Sequence, residues 1–209
     1  MKDYQKGFTL VEIAIVMVII GLLLGGALKG QKMIENAKGK RLAADIEQFR
    51  AALYSFQDIY RELPGDMASG KATKFFGPDM PAVGGNGKDG IGGGWCEGAD
   101  EESCKAWQHL RMAGLISGDP KASGADARPS HPFGGYYDSL STGNWSDGIT
   151  SIKLLIRSMP SDLAARLDTA YDDGNGKTGK YLCANGSNGV KGACDWSAPG
   201  AQQHLFIAM

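Results

Sequence analysis

The apolar run from Ile13 to Leu28 constrains this chain more than any other feature. Between Phe8 and Leu28 the sole ionisable side chain is Glu12, and a helix of that length covers ~31 Å, the thickness of a bilayer hydrocarbon core. The stretch therefore reads as one membrane span. A carboxylate inside such a span costs about 2.5–3.5 kcal/mol at the bilayer centre, and less near its edge, where Glu12 lies. No Lys, Arg or His occurs between Phe8 and Leu28, so a counter-charge must come from outside the span. A neighbouring chain's amino terminus, freed by a cut between Gly7 and Phe8, would supply it.

The order of features is as telling as the run itself. A short leader with Lys2 and Lys6 ends in Gly7 and is followed by Phe8-Thr9-Leu10-Val11-Glu12 and the apolar helix. This arrangement resembles the class III signal of type IV pilins and type II secretion pseudopilins. The resemblance implies that a prepilin peptidase cuts after Gly7 and methylates the new amino-terminal Phe8. It also implies that Glu12 neutralises a neighbour's amino terminus during filament assembly. Its motif covers about thirty residues, and the remainder of the chain is read on its own terms.

Four cysteines, Cys96, Cys104, Cys183 and Cys194, all follow the span. An even number in an exported domain favours disulfides, and proximity favours Cys96 with Cys104 and Cys183 with Cys194. The spacings lack the tight Cys-x2-Cys knuckle of structural zinc. Lys29, Lys32, Lys38, Lys40 and Arg41 follow the span while Lys2 and Lys6 precede it. A bare count of flanking cations thus points the head inward; the cysteines and the motif outweigh it and put the head outside the cytoplasm. From Pro64 onward there are 13 Lys plus Arg against 16 Asp plus Glu, a mildly acidic balance that is no nucleic-acid footprint.

Beyond Leu28 nothing stops the helix before Leu63-Pro64. Leu42, Ile46, Phe49, Leu53, Phe56 and Tyr60 recur at intervals of four and three, a stripe that predicts docking on the chain's own sheet. Gly21, Gly25, Gly26 and Gly30 supply small-xxx-small spacings for close helix approach in lipid. The stretch 65–94, rich in Gly, Pro, Asp and Lys, reads as a long surface loop. Its Gly65-x4-Gly70-Lys71 falls short of a phosphate-binding loop, because Ala72 stands where the metal-binding hydroxyl belongs.

Further on, Ser103–Ala113 predicts a short helix capped by Ser103, with Trp107 in the core. Ile149–Ile156 predicts a strand, Pro160 to about Tyr171 a helix, and Tyr181–Cys183 and His204–Ile207 further strands. The stretch from Pro160 to Gly179 resembles a segment common in prepilin-type proteins. Asp168, Asp172, Asp173 and Asn175 gather enough oxygens for calcium, which some pseudopilins bind in this half of the head. The spacing is not that of an EF-hand, however, and a solvated Asp-Asp-Gly turn is the plainer reading. His109, His131 and His204 receive no role, and no catalytic constellation is present.

The expected fold is α+β and pilin-like: a long N-terminal helix, transmembrane then amphipathic, packed on a small antiparallel β-sheet. Residues 1–7 form the leader, 8–28 the transmembrane half, 29–63 the amphipathic half and 64–209 the head. The expected function is that of a non-enzymatic filament subunit, a major or minor pilin or else a secretion pseudopilin. Its partners would be other pilins, the prepilin peptidase, an assembly platform and the inner membrane; no nucleic acid and no cofactor beyond calcium is expected. The rival from another class is a monomeric membrane-tethered binding ectodomain, which has no use for Glu12.

Overall fold

The computed structural model describes residues 9–77, 85–88, 90–142, 151–185, 190–191 and 202–209. Helix α1, Leu10–Tyr60, is 51 residues long, and the chain divides into two compact units, Met1–Lys40 and Arg41–Met209. In the first unit the large apolar side chains of α1 are all exposed, Leu10 by 91 % and Leu22 by 72 %. Its composition and length fit a membrane span.

In the second unit the remainder of α1 behaves oppositely. Leu42, Ile46, Phe49, Leu53 and Phe56 of the predicted stripe are buried, together with Ala52. They share one core with Leu140, Leu154, Ile156, Leu205 and Ile207 of the sheet, so the stripe docks on the chain's own sheet. The helix stops at Tyr60 rather than at Leu63, because Arg61 turns left-handed with φ 56° and α-helix cannot propagate through that conformation.

Among the described residues, three short helices and five strands follow. They are α2 (Ser69–Phe76), α3 (Glu102–Met112), β1 (Tyr137–Ser141), β2 (Lys153–Pro160), α4 (Ser161–Tyr171), β3 (Tyr181–Asn185), β4 (Val190–Lys191) and β5 (Gln202–Ala208), with a 3-10 turn at Gly124–Ala127. The sheet is antiparallel with strand order β1-β2-β5-β3-β4. The last long strand thus enters the middle of the sheet. Successive strand side chains face opposite ways: Leu154, Ile156, Leu205, Ile207 and Tyr181 meet α1, while Leu155, Leu182 and Phe206 gather on the reverse face with Trp95. Burial on both faces accounts for the unbroken apolar triplet Leu154-Leu155-Ile156.

Helix α3 is buried from Glu102 to Leu110. Trp107 lies edge-on to Phe49 at 5.0 Å, and its indole N–H donates to the Asp138 carbonyl at 3.0 Å. The expected cap, Ser103, lies inside the helix instead; Glu101 is the N-cap residue and makes no side-chain cap bond. The stretch 65–94 is likewise no simple surface loop, since it contains α2 and buries Asp66, Met67 and Ile91.

Candidate functional site

Helix α1 begins with a local polar closure. Thr9 precedes the first helical residue, and its hydroxyl accepts the Glu12 amide at 3.3 Å. The Glu12 carboxylate reaches back to the Thr9 amide at 2.8 Å and to the Thr9 hydroxyl at 2.7 Å. This is the reciprocal capping box of Thr-x-x-Glu, which satisfies otherwise orphaned donors at a helix start. Glu12 thus has hydrogen-bond partners within its own chain. A counter-charge is a separate requirement, and Thr9 supplies none. The spacing Thr9-x-x-Glu12 was visible in the sequence and carries this signal. Gly7 and Phe8 lie outside the described residues.

The head holds the remaining candidates. Cys96 and Cys104 form a disulfide with Cα atoms 4.8 Å apart, and both are buried. Cys183 is also buried and disulfide-bonded; its expected partner Cys194 lies outside the described residues. Close to the first bridge, the fully buried Asp138 accepts Arg128 Nη1 at 3.0 Å and the Cys96 amide at 3.1 Å, and its ion pair with Arg157 Nε is 3.1 Å long. Two cations and an amide compensate one buried carboxylate, the condition under which such a charge is tolerated. Arg157 also lies over the Trp95 ring at 4.0 Å, which ties this network to the reverse face of the sheet.

A second pair of carboxylates secures the glycine-rich segment. Glu102 accepts the amides of Asn86 at 2.7 Å and Gly92 at 2.6 Å, and Asp66 those of Lys88 and Gly90, each at 3.1 Å. Every second amide from 86 to 92 thus points at one of two buried acids. Glycine is required at Gly85, where a Cβ would lie 2.2 Å from the Gly65 carbonyl, whereas a Cβ at Gly92 would lie 2.8 Å from the Glu102 carboxylate and displace it. Sequence reading missed Asp66 and Glu102, because neither stands in a recognisable spacing.

Asp168, Asp172 and Asp173 do converge, offering ligand atoms within 4.8 Å of one another. Oxygens on opposite sides of one calcium ion lie about that far apart, given bonds of about 2.4 Å, so the donor set and spacing fit such an ion. The loop also uses these oxygens itself. Asp168 accepts the Gly174 amide at 3.2 Å, Asp172 the Lys180 and Tyr181 amides, and Asp173 the Asn175 amide at 2.9 Å and the Thr178 hydroxyl at 2.5 Å. The Thr178 hydroxyl, with help from the Asn175 amide, holds the Asp173 carboxyl below its usual range.

All three histidines make contacts within the head. His109 Nδ1 accepts the Gly65 amide at 2.8 Å. His131 accepts the Phe133 amide through Nδ1 and meets the Arg157 carbonyl through Nε2 at 2.7 Å. His204 packs edge-on against Trp95 at 4.9 Å.

Comparison with known families decides the amino terminus. Residues 2–28 match the prokaryotic N-terminal methylation motif. The chain carries the prepilin-type signature of type IV pilins and pseudopilins. No curated protein and no solved structure gives a significant match. With the long apolar helix and the small antiparallel sheet, the motif supports a type IV pilin-like or pseudopilin protein and fits anchoring in the inner membrane.

Proposed function

We propose that the chain is a structural subunit, major or minor, of a type IV pilus-like filament. Prepilin peptidase removes residues 1–7 and methylates Phe8, the head stands outside the cytoplasm, and an assembly platform stacks the subunits through α1. The observation that carries this reading is the methylation motif at residues 2–28 leading into a stretch of α1 whose large apolar side chains, from Leu10 to Ile34, are exposed. Glu12, held at the start of that helix, meets the amino group of a neighbour's Phe8. The role is structural and not enzymatic.

The test is Glu12→Gln in the full chain. Gln preserves the capping-box pattern with Thr9 and eases insertion by removing a charge. In a filament it leaves the neighbour's ammonium buried without its counter-ion, a penalty of about 3–5 kcal/mol per contact. Sheared filament falls to near zero, while membrane level and processing to a mature terminus at N-methyl-Phe8 stay unchanged. Normal filaments from the variant would overturn the role of Glu12, and a parent chain that forms no filament would favour the monomeric tethered ectodomain instead.

The convergence of Asp168, Asp172 and Asp173 favours a second reading, a type II secretion pseudopilin with calcium in the head. Calcium added to chelator-treated protein would then raise the melting temperature of the head, and Asp172→Ala would abolish the rise. No shift in either protein removes this second reading.

A further inference from the structure

Past the apolar span, the first unit continues as helix through Lys29, Lys32, Met33, Ile34, Lys38 and Lys40. All four lysines are exposed, and Glu35 is the sole acid among them. Met33 and Ile34 are exposed too, by 65 % and 59 %. Cations interleaved with open apolar side chains are characteristic of a helix lying in the lipid interface rather than in bulk water. At 100° per residue Lys29, Lys32 and Lys40 fall within about 80° of one another, with Met33 beside them.

Height decides what this face meets. Leu28 ends the span, so Lys29 and Lys32 lie about 1.5 and 6 Å further along the axis, within the roughly 5–8 Å of headgroup on each side of the hydrocarbon. Lys40 lies ~18 Å along, beyond a Debye length of about 8 Å. Helical side chains lean toward the helix N-terminus, which here brings each ammonium back toward the membrane. These cations also exceed those of Lys2 and Lys6 before the span. With the head outside the cytoplasm, they oppose the usual charge bias and so have a use other than setting orientation.

We propose that Lys29 and Lys32, with Lys40 at the outer margin, form a docking surface for anionic phospholipid headgroups that fixes the depth of α1 in the bilayer. The ammonium groups take the lipid phosphates, and Met33 lies just beyond them on the same side of the helix. A neighbouring chain's acidic surface is the competing occupant. It would engage Lys40 as readily as Lys29, whereas lipid engages them in order of height.

The inference rests on the span and on the proposed placement of the head outside the cytoplasm, and not on polymerisation. The experiment places the full chain in nanodiscs of phosphatidylcholine, with or without phosphatidylglycerol, and measures acylation of each lysine by a water-soluble reagent, with peptide mass spectrometry as readout. Lys29 and Lys32 react about fivefold more slowly when phosphatidylglycerol is present. Lys40 slows less, the exposed Lys74 of α2 does not change, and high salt removes the difference. Full chain with Lys29→Gln and Lys32→Gln co-purifies with less phosphatidylglycerol than the parent. Equal rates in both lipids would overturn the proposal, as would equal lipid retention by the variant. Equal slowing of all three lysines that follows the number of chains per disc would overturn it in favour of a second copy. Failure here leaves the Glu12→Gln result intact, and failure there leaves this one intact.

Discussion

The two stretches of α1 obey the same helical geometry and meet opposite fates. In the first unit Leu23 is 67 % exposed, whereas in the second Leu53 is 3 % exposed. Burying a leucine side chain is worth about 1.5–3 kcal/mol, so the head completes itself while the span depends on an apolar surrounding. Hydrophobic content alone does not distinguish them. The apolar residues of the span surround the helix, those of the second unit keep to one stripe, and only a stripe specifies a single docking face.

The comparison breaks most readily at the residue that locks the head. Trp107→Ala opens a cavity between α1, α3 and β1 and frees the Asp138 carbonyl. It costs about 3–5 kcal/mol, read as a lowered melting temperature of the full chain in detergent. Removing the buried bridge with Cys96→Ala and Cys104→Ala costs about 2.5–3 kcal/mol in the chain-entropy treatment of a loop this short. Denaturant midpoints of the parent and the variant measure it. Glu102→Gln turns a donor toward the Asn86 or Gly92 amide and costs about 1–3 kcal/mol, with faster hydrogen exchange at both amides as the local readout.

A smaller effect comes from pH. Burial holds the His131 imidazole below its ordinary value, although the Arg157 carbonyl and Asp45 pull the other way, and burial followed by the Arg157 charge does the same to His204. The unfolded chain therefore binds more protons just below pH 6.5. Their contribution is complete above that value and is lost as pH falls toward the lowered folded values. The melting temperature is lower at pH 5 than at pH 7.5, and His131 remains neutral by NMR where a free histidine is half protonated. The smallest expected effect sharpens the contrast: Leu23→Ala leaves the denaturant midpoint of the head within about 0.5 kcal/mol of the parent. A large shift would mean that Leu23 is covered after all.

Periodicity made much of this legible in advance. The stripe from Leu42 to Tyr60 and the helix opening at Pro160 stood out because each carries a regular signal over several turns. Strand β1 did not, since Tyr137-Asp138-Ser139-Leu140-Ser141 is too polar to read as buried. Its polar groups are satisfied by distant residues, among them Asp45, which accepts the Tyr137 hydroxyl at 2.8 Å. Helix α2 hid in a glycine-rich stretch for a similar reason. At the candidate site, Glu12 was legible as an isolated charge and Thr9 as its capping partner was overlooked. Asp66 acts through amides 22 and 24 residues away and Glu102 through amides 16 and 10 residues away, a relation that no local spacing encodes.

The position of the first disulfide has a consequence for the order of events in biogenesis. Cys96 and Cys104 are 0 % and 1 % exposed, and Cys104 is part of α3 itself. Thiol–disulfide exchange needs an attacking thiolate to reach sulfur, and a closed head admits none. The bond therefore forms while the head is still open; with the head outside the cytoplasm, as proposed, an oxidant must act on the chain between its arrival there and the docking of α3. Once that window closes, the same burial shelters the bond from reductants for as long as the head stays folded.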